Sequence, residues 1–153
     1  MKRTPRLFTI GYEKARSPDV LAELKDAGVE LLIDVRAVAA SRRPGFSKRQ
    51  LAASLDESGI GYVHLRGLGT PAEGRAAARK GKLDDLFAIY QAHLATAQAR
   101  EELDALTGII WKGQRACLLC YERDPECCHR KWIAEVMHAR TGVRVENLAA
   151  KLL

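Results

Sequence analysis

The stretch Leu31-Leu32-Ile33-Asp34-Val35-Arg36 decides the fold of this chain. Asp34 is the one polar side chain among its first five residues, so hydrophobic residues point to both sides of a strand placed here. A strand that is apolar on both faces is typical of a parallel sheet covered by helices on each side. An amphipathic helix precedes it, with Ser17-Pro18 at its start and Gly28 at its end. The stretch therefore predicts an α/β fold built on a buried parallel sheet.

Strands and helices are predicted to alternate along the whole chain. The strands are expected at residues 7–11, 31–35, 62–65, 116–120 and 143–147. The helices are expected at residues 17–28 and 47–59, in a long region that begins near 83 and extends toward 106, and at 125–141, with a glycine-rich basic loop at 66–82. This order predicts a Rossmann-like, three-layer α/β/α domain over residues 1–153, with a mostly parallel sheet of about five strands.

Length and composition are those of a globular protein. The 153 residues are 47% hydrophobic and 29% charged, which suits one ordinary core. No stretch approaches the roughly 20 apolar residues of a membrane span, and the apolar run after the basic N-terminus is too short for an export signal. All four cysteines lie within residues 117–128, which argues against a disulfide framework. The sequence therefore predicts a cytoplasmic protein with no membrane partner.

Positive charge is concentrated in two segments. Residues 36–55 contain five basic residues and no acidic one, and residues 66–82 contain five basic residues with Glu73 as the single acid. The net charge of the whole chain is +6. Local positive charge favours an anionic small molecule or nucleic acid as the partner. The alternative interpretation is that both segments are solvated loops that keep the protein soluble.

Chemically capable side chains follow the predicted strands at the point where each strand ends. The carboxyl ends of parallel strands meet at one edge of the sheet, where the ligand crevice of such folds lies. We therefore expect distant residues to converge there. These are Asp34, Arg36, His64, Cys120, Glu122, Cys128, His129 and Arg130, together with Arg42 and Arg43 of the neighbouring basic loop.

The first interpretation of this group is an anion site with a reactive thiol. A helix beginning at Pro125 would direct its positive end toward Cys120 and lower the pKa of that thiol. Three residues are then candidates for catalysis, namely Cys120, Glu122 and His129. The candidates for substrate binding are Asp34, Arg36, Arg42, Arg43, His64, Cys128 and Arg130, with the head of Arg130 reaching the rim of a pocket. A Cys-x5-Arg phosphatase is excluded, since the residue six positions after Cys120 is Glu126.

Two other interpretations stay open. A metal ion at Cys120, Cys128 and His129 is one, but the spacing lacks a Cys-x2-Cys pair, and neighbouring helical residues would point about 100° apart. The sequence therefore predicts no cofactor. The other is a nucleic-acid-binding module in which residues 42–49 grip the backbone and Phe46 stacks on a base. The alternative to a chemical role is that Cys128 is a small buried hydrophobe, which is the more usual role of a free cysteine, and that His129 makes a structural hydrogen bond.

Several motifs together resemble one known family. They are Thr9-Ile10-Gly11-Tyr12, Leu32-Ile33-Asp34-Val35-Arg36, Ser41-Arg42-Arg43 with Phe46, Tyr62-Val63-His64-Leu65 with Leu68-Gly69, and Leu119-Cys120-Tyr121-Glu122 with Pro125 and Cys128-His129-Arg130. On these residues the chain resembles the family catalogued as domain of unknown function 488, over almost its whole length. The resemblance implies action on nucleotides or nucleic acid.

The resemblance also selects among the candidate residues. Those that match the family pattern and fall at the expected crevice are Asp34, Arg36, Cys120, Glu122, Cys128, His129 and Arg130. Cys117 and Cys127 match less well and are interpreted as structural or incidental. The chain departs from the family at Gly11-Tyr12-Glu13, where many members have Gly-His-Ser, so no histidine role is expected at that position.

Overall fold

Five parallel strands form one sheet in the computed structural model, which describes residues 6–152. The strands are β1 (Arg6–Gly11), β2 (Leu31–Asp34), β3 (Gly61–His64), β4 (Ala116–Cys120) and β5 (Arg144–Leu148). They lie in the order β3-β2-β4-β1-β5, and every neighbouring pair is parallel. The central strand β4 is buried along its whole length. The predicted α/β class and the number of strands are confirmed.

Residues 6–152 form six α-helices around the sheet. They are α1 (Ser17–Asp26), α2 (Lys48–Glu57), α3 (Ala72–Arg79), α4 (Leu83–Leu94), α5 (Ala97–Trp111) and α6 (Arg130–Thr141). The buried residues of α1 and α2 form one hydrophobic core with the sheet, and those of α4, α5 and α6 form the other. This is the predicted three-layer α/β/α arrangement.

Strand β4 contributes alternate side chains to the two cores. Cys117 and Leu119 pack on the side of α1 and α2, whereas Leu118 and Cys120 pack on the side of α4, α5 and α6. This alternation is the ordinary period of a strand. It separates the two cysteines of β4, so that Cys120 alone faces α6.

The structure corrects two of the predicted elements in the middle of the chain. The helical region expected to extend from residue 83 toward 106 is two helices, because Thr96 caps a new one and its Oγ1 accepts a hydrogen bond from the Ala99 amide at 3.3 Å. Residues 66–82 are not simply a loop. They contain a short 3₁₀ helix (Arg66–Leu68) and helix α3, which packs against α4.

The last helix begins later than predicted. Residues Pro125–Cys127 form a 3₁₀ turn, Cys128 is extended with φ −134° and ψ 144°, and α6 starts at Arg130. The Asp124 side chain caps only the short turn, accepting from the Glu126 amide at 3.0 Å. The capping signal before Pro125 was therefore real, but it starts a single turn and not the long helix.

None of the helices between residues 6 and 152 combines the length and the hydropathy needed to cross a bilayer.

Gly11 allows β1 to approach the turn that follows β4. A Cβ atom at this position would lie 1.7 Å from the carbonyl oxygen of Glu122. The Gly11→Ala variant is expected to displace that turn and to lower the free energy of unfolding in urea by about 1–3 kcal/mol. Gly108→Ala is the control, because a Cβ there meets nothing within 4 Å and lies in α5, where alanine stabilises a helix by about 0.5–1 kcal/mol. Equal changes in both variants would contradict the close approach.

Candidate functional site

A cavity of about 560 Å³ opens at the carboxyl ends of β2 and β4. Its floor is formed by Cys120, Glu122, Cys128 and His129, and its walls by residues that follow β2 and by helices α3 and α4. The wall residues include Val38, Thr70, Arg75, Arg79, Leu83, Leu86 and Tyr121. The cavity therefore lies where a parallel α/β sheet is expected to bind its ligand.

Three of the floor residues form what we call the Cys–His cluster, namely Cys120, Cys128 and His129. His129 Nδ1 is 3.6 Å from Cys120 Sγ and 3.7 Å from Cys128 Sγ. The other ring nitrogen, Nε2, donates a hydrogen bond to the carbonyl oxygen of Val35 at 2.7 Å. Since a carbonyl only accepts, Nε2 carries a proton and the Nδ1 atom faces both sulfurs. All three residues are buried.

Chain geometry explains why neighbouring Cys128 and His129 reach the same point. The prediction that their side chains diverge by about 100° assumed that both are helical. Cys128 is instead extended, and His129 is the residue that immediately precedes α6. The divergence argument is therefore wrong for this pair, and it no longer weighs against a shared ligand.

The two cluster thiols differ in acidity. Burial raises the pKa of Cys128, but the hydrogen bond from Cys120 and the charge of His129 outweigh it, so this pKa lies well below that of a free thiol. Burial and the neighbouring Cys128 raise the pKa of Cys120, opposite to the direction expected from the sequence. Burial by itself lowers the pKa of His129, but the charge of Cys128 raises it by more, so the pKa of His129 lies above its usual value. Of the two cluster thiols, Cys128 is therefore the more acidic.

Glu122 lies beside the cluster and also faces the cavity. Its Oε2 accepts a hydrogen bond from Cys120 Sγ at 3.2 Å. Burial, and then the charge of Cys128, raise the pKa of the Glu122 carboxyl above its usual value. A buried carboxyl with a raised pKa is suited to exchanging a proton with a neighbouring group.

Asp34 and Arg36 form a buried, bidentate ion pair. Arg36 Nε donates to Asp34 Oδ1 at 2.9 Å and Nη2 donates to Oδ2 at 2.7 Å, with the two side chains 6% and 0% exposed. Arg36 Nη1 donates to Tyr12 Oη at 3.2 Å and to the Phe46 carbonyl at 2.8 Å. Burial alone lowers the pKa of Arg36, but Asp34 raises it above its usual value. Although Arg36 lines the cavity, four of its five N–H groups are engaged inside the protein.

Arg130 does not reach the rim of the cavity, and that part of the prediction is wrong. Its side chain is completely buried and is absent from the cavity lining. Nε donates to Thr9 Oγ1 at 3.2 Å, Nη1 donates to the Glu122 carbonyl, and Nη2 donates to the Arg123 carbonyl at 3.0 Å. Arg130 therefore ties the turn after β4 to β1 and α6.

The other predicted binding residues lie away from the cavity lining. His64 Nε2 donates to the Arg36 carbonyl at 2.7 Å, and Arg43 donates to the Ala15 carbonyl. Arg42 is exposed on the same loop. Phe46 is 1% exposed and its ring stacks on Tyr12 with centroids 4.3 Å apart, so the expected stacking of Phe46 on a base is wrong.

Two arginines that sequence reasoning did not single out are in the cavity wall. Arg75 and Arg79 lie four residues apart on α3, so they share one helix face. Arg75 is half-buried and its Nη1 donates to the Thr70 carbonyl at 2.8 Å. The alanine content of residues 72–79 favours a helix and could have revealed this spacing, but the flanking glycines suggested a loop.

The comparisons with known proteins agree with the motifs in this site. A family model described as domain of unknown function DUF488 matches residues 17–137, which is most of the chain. The chain belongs to this family. The DUF488 match includes the whole Cys–His cluster and begins after Gly11-Tyr12-Glu13. The searches of curated proteins and of solved structures found no match.

Proposed function

We propose that the protein is an enzyme that acts on a phosphorylated small molecule of nucleotide size, bound in the cavity beside the Cys–His cluster. One observation carries this proposal: the reactive cluster shares its cavity with Arg75 and Arg79. Neither arginine forms an ion pair with an acidic side chain within residues 6–152. Guanidinium groups free of acidic partners are the preferred protein ligands of phosphate.

The shape and polarity of the cavity support a small molecule with an apolar part. Its volume lies within the range of about 300–1,000 Å³ that is usual for ligand pockets. Val38, Leu83 and Tyr121 line it although their side chains are 57%, 45% and 44% exposed. Large apolar side chains left exposed around a pocket are typical of a binding site. A nucleobase on the Tyr121 ring with its phosphate at α3 fits this distribution.

The internal bonds of Arg36 and Arg130 support assigning the anion to α3. Arg130 has no exposed surface, and most N–H groups of Arg36 already have partners. Substitution of Arg36 or Arg130 would disturb the fold as well as ligand binding. In this proposal Arg75 and Arg79 therefore bind the anion, while the Cys–His cluster and Glu122 supply the reacting groups.

Binding of nucleoside monophosphates, measured by titration calorimetry, tests the assignment. Loss of a hydrogen bond to a charged group costs about 1.5–3 kcal/mol, and each ~1.4 kcal/mol changes Kd about tenfold. The Arg75→Ala/Arg79→Ala double variant is therefore expected to bind at least about tenfold more weakly. Arg79→Ala alone should change Kd in the same direction, which separates ligand binding from the bond between Arg75 and Thr70.

Two charge-matched variants serve as controls. Lys80→Ala removes a neighbouring exposed charge that does not line the cavity, and Arg42→Ala removes one from the other basic segment. Both are expected to leave Kd for nucleotides within about twofold, because neither side chain lines the cavity. Equal weakening by Lys80→Ala would contradict a specific site. Binding of single-stranded oligonucleotides that depends on Arg42, without nucleotide binding, would instead favour the nucleic-acid-binding interpretation.

A further inference from the structure

Three metal-binding atoms meet at the floor of the cavity. Cys120 Sγ, Cys128 Sγ and His129 Nδ1 all lie within 4.8 Å of one another, and the two S···N distances are 3.6 and 3.7 Å. In a tetrahedral zinc site with Zn–S bonds of about 2.3 Å and Zn–N bonds of about 2.0–2.1 Å, each S···N edge is about 3.5–3.6 Å. The two S···N distances therefore match those of a zinc site, and the two sulfurs lie within 4.8 Å of each other.

The imidazole of His129 is oriented as a metal ligand is. Its Nε2–H donates to the Val35 carbonyl at 2.7 Å, which leaves Nδ1 directed at the two sulfurs. Histidine ligands in metalloproteins regularly donate their second ring N–H to a carbonyl or carboxylate, which holds both tautomer and ring orientation. Val35 follows β2 directly, and its amide donates to the Leu119 carbonyl of β4 at 3.1 Å. The orientation of the His129 ring is thus fixed by a backbone carbonyl that lies beside the central strand β4.

The donor types favour zinc. Two thiolates and one imidazole form a soft S₂N set, which suits Zn²⁺ better than hard cations such as Mg²⁺ or Ca²⁺. Binding of Zn²⁺ would release two protons to solvent, one from the Cys120 thiol and one from the Cys128–His129 pair, so the charges of the ion and the two thiolates cancel. Cancellation matters because Cys120 and Cys128 are each only 3% exposed, and a net charge there would be costly.

The fourth coordination position faces the cavity. All three donor residues line it, and a site with three protein ligands and one open position is typical of catalytic zinc. Glu122 also lines the cavity but lies outside the three-donor group, and it accepts from Cys120 Sγ. When Cys120 loses its proton to bind zinc, the Glu122 carboxylate loses that donor. A zinc-bound water is the donor that replaces it.

We propose that Cys120, Cys128 and His129 bind one zinc ion, with a water in the fourth position that donates a hydrogen bond to Glu122. The inference deepens the proposed function and rests on it only in taking the cavity as the substrate site. A zinc ion held by these three residues would activate its bound water as a nucleophile, because zinc lowers the pKa of bound water to about 7. The chemistry this assigns to the cavity is hydrolytic.

Metal analysis of the full chain, expressed with zinc and purified without chelator, tests the site. One zinc per chain is expected in the wild-type protein, and Cys120→Ser and Cys128→Ser should lose it. Cys127→Ser is the matched control, since Cys127 is the sequence neighbour of Cys128 but is exposed and outside the donor group. It should keep one zinc per chain. Zinc retained by both cluster variants, or absent from the wild type, would overturn the proposal.

A measurement on the wild-type chain covers the case in which a variant does not fold. Apo protein titrated with Co²⁺ should develop the visible bands of tetrahedral cobalt and a near-ultraviolet thiolate-to-cobalt charge-transfer band. Mass mapping after iodoacetamide should show Zn²⁺ protecting Cys120 and Cys128, whereas Cys127 reacts with and without metal and buried Cys117 reacts in neither state. Equal alkylation of the cluster with and without Zn²⁺ would count against the site.

The two proposals fail in different ways. Absence of zinc together with nucleotide binding that depends on Arg75 and Arg79 would remove the metal and keep the anionic substrate. Bound zinc with no nucleotide affinity would keep the metal and remove the substrate assignment.

Discussion

Replacing Arg130 by methionine is expected to lower the free energy of unfolding by about 3–5 kcal/mol. The variant keeps a long side chain in a fully buried position but removes three hydrogen-bond donors. The carbonyls of Glu122 and Arg123 would lose these donors, and each unsatisfied buried group costs about 1–3 kcal/mol. The Thr9 hydroxyl would lose one of its two bonds and keep the one to Asn147. Because those carbonyls belong to the turn beside the Cys–His cluster, zinc affinity should fall as well. Urea denaturation followed by circular dichroism measures the first effect.

Two further variants show whether the geometry of Arg130 or its charge is responsible. Arg130→Lys keeps the charge but cannot reach three separate acceptors with one ammonium group, so it should recover only part of the loss. Arg140→Met is the surface control on the same helix, where Arg140 Nη1 pairs with an exposed Asp104 at 2.9 Å. Its cost should not exceed about 1 kcal/mol. A similar cost for the variants at positions 130 and 140 would show that the buried bonds contribute little.

Asp34→Asn is expected to be comparably damaging, with a loss of about 3–5 kcal/mol, because it leaves the buried Arg36 guanidinium without its counter-charge. Asp34 accepts four hydrogen bonds, three from Arg36 and one from the Tyr62 hydroxyl at 2.6 Å. An asparagine side chain has one acceptor oxygen, so an amide N–H group would face a donor. The free energy of unfolding in urea is again the measurement.

Controls for this variant separate the charge from the single hydrogen bonds. Tyr62→Phe removes one donor to the carboxylate and should cost about 1.5–3 kcal/mol, less than Asp34→Asn. Asp104→Asn makes the same chemical change in an exposed pair, where Asp104 is 73% exposed, and should cost less than about 1 kcal/mol. If Asp34→Asn were as mild as Asp104→Asn, the buried pair would not be a main support of the β2 end.

The sheet was predictable because its signals are local. Residues 31–34 and 116–120 are apolar almost throughout, and strands covered on both faces need little else to be recognised. Helix ends were less predictable. The Asp124-Pro125 signal marks a single 3₁₀ turn, and the break at Thr96 depends on one capping hydroxyl within a continuous helical pattern.

The candidate site was predictable in its membership and less so in its arrangement. Topology alone brings the ends of β2 and β4 together, which is why Cys120 and His129 were expected at one place. The order of acidity of the two thiols was not, since it depends on the hydrogen bonds and the charged neighbours of each sulfur in a buried cluster. The sequence also did not predict that residues 72–79 are helical, and the positions of Arg75 and Arg79 depend on that helix.

The amino-acid sequence by itself determined the α/β class, the order of the strands along the chain and the concentration of reactive residues between Cys120 and Arg130. Periodicity and turn residues carry that information, and both act between neighbours in the chain. Only the tertiary structure decided which arginines at the sheet edge have their guanidinium groups engaged inside the protein. Arg36 and Arg130 are bound inside the protein because an acid and two carbonyls approach them in the fold, whereas Arg75 and Arg79 have no acidic partner within residues 6–152.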